Sequence, residues 1–272
     1  MENAIRLWDD WQNAELYHSY VQQYPIYRVL NRHLVEMAEI ETARRVLDLA
    51  CGSGATTASC LRRLPRDAEL VAIDTSAAMV GVAESRNQDP RVRFVVSPAA
   101  HLGETLEGPF DRALCNAAFW QLPNRRKVLR DLAQLLIPGS LFAFNIPADR
   151  LRGEEGEAHP FQVILGRLLD SRSHEDTLAP TARLLDTASV QQRLEDAGFE
   201  LVHRERFTYS GTQEELAELM EIPVMLASAA PELSPEGRRE ALRIARETID
   251  EDRSVVVPWV YFLARRTDQA SS

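Results

Sequence analysis

Short apolar runs alternate with segments of helical period from about residue 45 onward, the pattern of a largely parallel sheet covered by helices on both faces. The runs at 46–49, 70–74, 92–96, 111–115, 140–146, 199–209 and 255–264 predict seven strands. Helices are predicted at 55–64, ending before Pro65, from Ser76 to about residue 85, and at 125–136, stopped by Pro138 and Gly139. A further helix at 189–197 closes at Gly198, and 214–249 reads as helical with interruptions at Pro223, Pro231 and Pro235. Between 147 and 180 the alternation breaks. There a charged stretch, Arg152 to Glu157, precedes an apolar one at 161–169, which predicts an insertion lying over the sheet. The chain therefore divides into an N-terminal helical lid segment (1–44), a core (45–147), an insertion or lid (148–186) and a C-terminal part (187–272). The last part completes the core and carries a helical insertion at about 210–250.

The junction of the first strand with its helix carries the candidate chemistry. Arg45 to Gly54 reads Arg-Val-Leu-Asp-Leu-Ala-Cys-Gly-Ser-Gly, an apolar strand with an acid, Asp48, set before a glycine turn. The second strand ends in another acid, Asp74, at the spacing where a carboxylate accepts hydrogen bonds from ribose hydroxyls. A glycine turn followed by a ribose acid also describes dinucleotide sites, and charge separates the two. Pyrophosphate wants a third glycine where Thr57 stands, and Asp48 would repel phosphate. Two acids suit a cationic nucleoside instead, and S-adenosylmethionine, with a sulfonium and an ammonium beside its ribose, matches them.

Composition fits a soluble enzyme. At 272 residues, 45% of them hydrophobic, the chain can build one large α/β domain with an insertion. A net charge of −10, from 41 acids against 31 bases, argues against a surface that tracks phosphates, so no nucleic-acid partner is expected. Three cysteines, Cys51, Cys60 and Cys115, form no C-x-x-C pair and predict free thiols in a reducing compartment, with no metal site. The N-terminus has no basic stretch followed by an apolar one, and no apolar run reaches the roughly 18 to 20 residues that cross a bilayer. A cytoplasmic location without a membrane span is expected, with a small molecule as partner and a homodimer left open.

Four stretches in order resemble successive motifs of the class I S-adenosylmethionine-dependent methyltransferases. They are Asp48-Leu49-Ala50-Cys51-Gly52-Ser53-Gly54, Ala72-Ile73-Asp74-Thr75-Ser76 with Met79, Phe110-Asp111 leading to Asn116-Ala117-Ala118, and Leu132 to Gly139 before a strand. The likeness is nearest to the small-molecule branch that contains the quinone-biosynthesis C-methyltransferases, and it covers residues 40–147 most fully. It implies a Rossmann-like seven-stranded α/β sheet, mostly parallel, whose last strand runs antiparallel beside the fifth. By position it also implies that Ala50, Gly52 and Gly54 hold the methionine end, Asp74 the ribose, and Thr75 and Met79 the adenine face. Asn116 and Ala117 would line the methionine side near sulfur. Where the family often has an acid for the adenine amino group, this chain has Pro98. Adenine recognition is then expected from the backbone of Ala99 and Ala100, or from His101.

Methyl transfer asks mainly that the acceptor be held in line with the methyl group, and a base is needed only where the acceptor carries a proton. Tyr17, Tyr20, Tyr24 and Tyr27 share a face at helical spacing and predict an aromatic stripe closing over the cofactor. His18 and Tyr20 are the catalytic candidates, with Tyr24, Trp120 and Gln121 as acceptor contacts. His159 and His174 lie in the insertion, where solvated surface is the plainer reading. The apolar stretches 161–169 and 219–226 predict a largely hydrophobic acceptor pocket under a lid. A protein of the same fold that binds the cofactor without transferring methyl, as a regulator or a rearrangement catalyst, is the alternative.

Overall fold

The computed structural model describes residues 7–154, 185–230, 233–248, 250 and 252–268. The expected insertion between 155 and 184, with His159, His174 and the apolar stretch 161–169, lies outside the described residues. Seven strands form one sheet: β1 (Arg45–Leu49), β2 (Glu69–Asp74), β3 (Val92–Val96), β4 (Phe110–Cys115), β5 (Leu136–Pro147), β6 (Phe199–Thr212) and β7 (Ser254–Arg266). Their order is β3-β2-β1-β4-β5-β7-β6. β1 pairs in parallel with β2 and β4, β2 with β3, and β4 with β5. β7 runs antiparallel to β5 and to β6, as the resemblance implied.

Val46, Leu47, Asp48 and Leu49 are all buried, so neither face of β1 meets solvent and both are covered. Along β7 the alternation sends Val260, Phe262 and Ala264 to one core, and Trp259 and Tyr261 to the other. The first core stacks Phe144 on Phe262, with ring centroids 4.9 Å apart and planes 7° apart. It lies under α6 (Arg125–Leu135) and α7 (Thr187–Asp196), whose buried faces present Leu129, Leu132, Val190 and Leu194. The second core lies under α1 (Trp11–Gln23), α2 (Ile26–Met37) and α3 (Ala55–Leu61), with Tyr20, Leu30, Leu34 and Cys60 turned inward. Between them in sequence come α4 (Ala77–Arg86) and the short α5 (Leu102–Thr105). After β6 follow α8 (Gln213–Glu221), α9 (Pro223–Ala229) and α10 (Pro235–Thr248).

Local chemistry explains the boundaries. Asp10, Ser76, Asn124, Asp186 and Thr212 each cap a helix by accepting a backbone N–H three residues on. Pro223 and Pro235 start α9 and α10, where a missing N–H costs nothing. Three expectations shift. The helix expected at 55–64 ends at Leu61, and β5 starts at Leu136 rather than 140. The extra length of β5 is accommodated by a register break between Phe110 and Arg112, which lets Pro138 sit outside the ladder it cannot serve. The tyrosine stripe is not one helix, because the chain breaks at Tyr24 and Pro25 into α1 and α2.

The sheet order reverses direction of growth between β1 and β4, which opens a crevice outside the carboxyl ends of those two strands. The turns that follow β1 and β4 both face it.

Candidate functional site

Both turns hold alanine in the left-handed region, Ala50 at φ 57° and Ala117 at φ 51°. Such geometry is disfavoured for a residue with a Cβ and persists only where neighbours enforce it. At the first turn Cys51 N donates to Ile73 O (3.0 Å), and Gly54 N donates back to Cys51 O (3.0 Å). At the second, Ala117 N donates to the Asn145 side chain (2.7 Å). The two glycines do different work. A Cβ on Gly54 would stand 2.6 Å from Asn87 Nδ2 and 3.0 Å from Ala83 Cβ, so this glycine lets α3 settle on α4. A Cβ on Gly52 would meet nothing within 4 Å, so its backbone faces open space.

The two acids lie close to that turn. Asp74 accepts Gly52 N at one oxygen (2.9 Å) and Ser76 N at the other (2.9 Å), which ties the end of β2 to the glycine turn. Burial raises its carboxyl above the ordinary range, against the pull of these backbone donors. Asp48 is fully buried, with Oδ2 accepting from Thr57 Oγ1 at 2.6 Å and Oδ1 left without a partner. Its carboxyl is pushed up to about 7, first by burial and further by Asp74, while the Thr57 bond works the other way. A buried carboxylate oxygen without a donor is costly, and a bound cation would relieve both that cost and the repulsion between the acids. The residues present therefore fit a positively charged nucleoside.

A chain of amides fastens the N-terminal helices to this crevice. Asn31, on α2, accepts at Oδ1 from Thr56 Oγ1 (2.7 Å) and from Asn116 Nδ2 (2.6 Å). Asn145 Nδ2 donates to Asn116 Oδ1 (2.7 Å), and Tyr261 Oη donates to Leu30 O (3.1 Å). Asn31 and Asn145 are buried, so this relay specifies where α2 sits. Asn116 was expected from sequence; Asn31, Thr56 and Asn145 were not. The signal for Asn145 was a lone amide within the apolar run of β5, and for Asn31 a polar residue on the apolar face of α2.

The other expected residues are divided by the fold. Tyr20 lies with Tyr24 (centroids 4.9 Å) and Tyr27 (6.2 Å), and Tyr27 contacts Tyr17 (5.4 Å), so the aromatic cluster survives the helix break. His18 points elsewhere, because residues two apart on a helix face different ways. Its neighbours are the Ser53 backbone, Arg86 and Glu15, and burial lowers its imidazole. The two catalytic candidates, His18 and Tyr20, thus have different neighbours. Burial raises the Tyr20 phenol far above its usual range, so it stays protonated and is a donor rather than a base. Thr75 is exposed, whereas Met79 is buried with Ala14, Ala78 and Val82 beneath Trp8 and Tyr17. Ala99 and Ala100 form a single turn after β3, where Lys127 Nζ donates to Ala100 O (2.7 Å). His101 and Gln121 are exposed, and Trp120 packs between the two cores against Trp259 (centroids 6.0 Å). Trp259 was not anticipated.

Comparison with known proteins places this site in context. Residues 46–139 match the family model described as a methyltransferase domain. The chain is 32% identical over 181 residues to a trans-aconitate 2-methyltransferase of Methylobacterium radiotolerans, covering 60% of this chain and 68% of that protein. It is 26% identical over 209 residues to the ubiquinone/menaquinone biosynthesis C-methyltransferase UbiE of Yersinia enterocolitica, covering 70% of this chain and 83% of that protein. Among solved structures, the [4+2]-cyclase SpnF superposes with a TM-score of 0.55 at 18% identity, covering 88% of this chain and 80% of that one. At that identity the likeness speaks for the fold alone.

Proposed function

The chain belongs to the class I S-adenosylmethionine-dependent methyltransferases, and from that premise we propose that it methylates a small, partly apolar metabolite held under its N-terminal helices. The cofactor supplies an electrophilic methyl group on a sulfonium, which leaves the protein the tasks of binding, alignment and exclusion of water. In this reading the turn at Ala50, Gly52 and Gly54 receives the methionine end and Asp48 favours its positive charge. Asp74 is at hand for ribose hydroxyls, with Thr75 at the rim. Asn116 and Ala117 form the wall between the cofactor and the acceptor, and Tyr20, Tyr24 and Trp120 border the acceptor. The relatives named above act on substrates as different as a tricarboxylate and quinone precursors, so the acceptor is argued from this chain's own residues. Its second core is built of tyrosine, tryptophan and leucine, which supports an apolar acceptor. The acidic balance of the chain supports a reading without a nucleic-acid partner, and its three unpaired cysteines support one in a reducing compartment such as the cytoplasm.

One observation carries the reading: a buried acid, Asp48, and a half-buried one, Asp74, stand at an open glycine turn, and Asp48 has an oxygen without a donor. Isothermal titration with S-adenosylhomocysteine tests it. Asp74→Ala is expected to lose about tenfold to a hundredfold in affinity, the worth of hydrogen bonds to a charged group. Unchanged affinity in that variant would overturn the assignment of the ribose acid. Incubation with S-adenosylmethionine and an acceptor should give a product heavier by one methylene, whereas cofactor recovered intact across acceptors would favour a non-transferring protein.

A further inference from the structure

Trp259 and Tyr20 share an anomaly. Each is at least nine-tenths buried, at 5% and 4% exposure, and each keeps a polar atom without a hydrogen-bond partner, Nε1 of Trp259 and Oη of Tyr20. Buried tryptophan and tyrosine normally find an acceptor for that hydrogen, because leaving it unmet forfeits the water it had in the unfolded chain. Both side chains belong to the core beneath the N-terminal helices, and Trp120, at the exit of β4, packs against that core. Tyr209 links them. It pairs with Val257 across the β6–β7 ladder, which makes Trp259 its diagonal neighbour on the same face, and its phenol lies close enough to Tyr20 to raise it electrostatically.

We propose that Trp259 Nε1 and Tyr20 Oη are a pair of donors for the methyl acceptor, and that the acceptor presents uncharged oxygens, carbonyl or ether, on an apolar frame. This rests on the function proposed above and names the class of molecule it would take. The argument for a neutral acceptor is electrostatic. Among the described residues, the buried charged side chains are Asp48, at the cofactor turn, and Glu215. Glu215 stands near Tyr20: it accepts from Tyr209 Oη at 2.7 Å and from Ile26 N at 3.2 Å. A carboxylate brought to Tyr20 would meet this acid in a poorly screened interior, whereas a carbonyl oxygen would gain two donors without that repulsion. Each donor has an aromatic neighbour, Tyr24 against Tyr20 and Trp120 against Trp259, which would suit a flat molecule.

The chain has four tryptophans, so its indole N–H signals are few enough to assign with Trp259→Phe. With the protein saturated by S-adenosylhomocysteine, acetophenone and benzoate serve as probes of equal size that differ in charge. Acetophenone is expected to move the Trp259 N–H signal downfield in a saturable way, and benzoate to leave it in place. Trp259→Phe and Tyr20→Phe, which keep the rings and remove only the donors, should each weaken acetophenone binding about tenfold with S-adenosylhomocysteine affinity at the wild-type level. A Trp259 signal unmoved by acetophenone, equal binding of benzoate, or full acetophenone affinity in both variants would overturn the proposal. Failure of the wild-type protein to bind S-adenosylhomocysteine would count against the cofactor reading instead, so the two failures are distinguishable.

Discussion

Asp48 concentrates the electrostatics of the site in one residue. Its carboxyl titrates at about 7 because burial and Asp74 disfavour its charge. A carboxyl raised in the fold contributes stability at low pH that is lost as pH climbs from the ordinary aspartate range through about 7. The cofactor-free protein should therefore melt at lower temperature at pH 8 than at pH 5.5, with respect to this group. Cofactor binding should run the opposite way, since a cation favours the ionised form. Affinity for S-adenosylmethionine is expected to rise by up to tenfold per pH unit below about 7 and then level off. Asp48→Asn removes the titration, and titration calorimetry across that window should show its affinity profile flattened. A wild-type profile in that variant would assign the pH dependence elsewhere.

Among the elements, the strands were legible because a sheet covered on both faces writes itself as uninterrupted apolar runs, and the glycine turn because few residues tolerate its backbone. What sequence could not disclose was contact between distant elements. Nothing along the chain says that Asn31 on α2, Asn116 after β4 and Asn145 in β5 meet, since their separation is set by the order in which strands join the sheet. Nor does sequence name the neighbours of His18 and Tyr20, two candidates on one helix whose side chains meet different parts of the fold. Nor does anything near Met79 in sequence say that Trp8 and Tyr17, far away in the chain, cover it. The amide relay gives α2 a definite seat over the crevice. Asn31→Ala leaves Asn116 Nδ2 and Thr56 Oγ1 without their shared acceptor and should cost about 1–3 kcal/mol of stability, read by denaturant unfolding. If the relay also aligns the wall at Asn116, kcat should fall more than the KM for S-adenosylmethionine rises, and Asn31→Asp, which keeps the acceptor oxygen, should recover part of kcat. Equal loss in both parameters would reduce the relay to scaffolding.

For the molecule as a whole, the reading proposed above puts the ligand under the N-terminal helices, so its entry depends on how their leading end is held. Contacts with α4 and its cap hold that end. Asp9 accepts from Ala78 N (3.2 Å), Ser76 Oγ donates to Trp8 O (2.8 Å), and the half-exposed Trp11 ring rests on Gly81. A Cβ at Gly81 would lie 2.2 Å from the far edge of that ring, while α4 itself gains by the change, since alanine favours a helix by about 1 kcal/mol over glycine. Gly81→Ala is therefore expected to keep or slightly raise the melting temperature while pushing Trp11 off its seat. The consequence should appear in exchange and release rather than in stability: faster amide exchange over α1, unchanged exchange in β1 and β4, and a several-fold faster dissociation of S-adenosylhomocysteine measured by stopped flow. A dissociation rate equal to the wild type, with α1 exchange increased, would mean that the ligand leaves by another route and that the contact between Trp11 and Gly81 is packing alone.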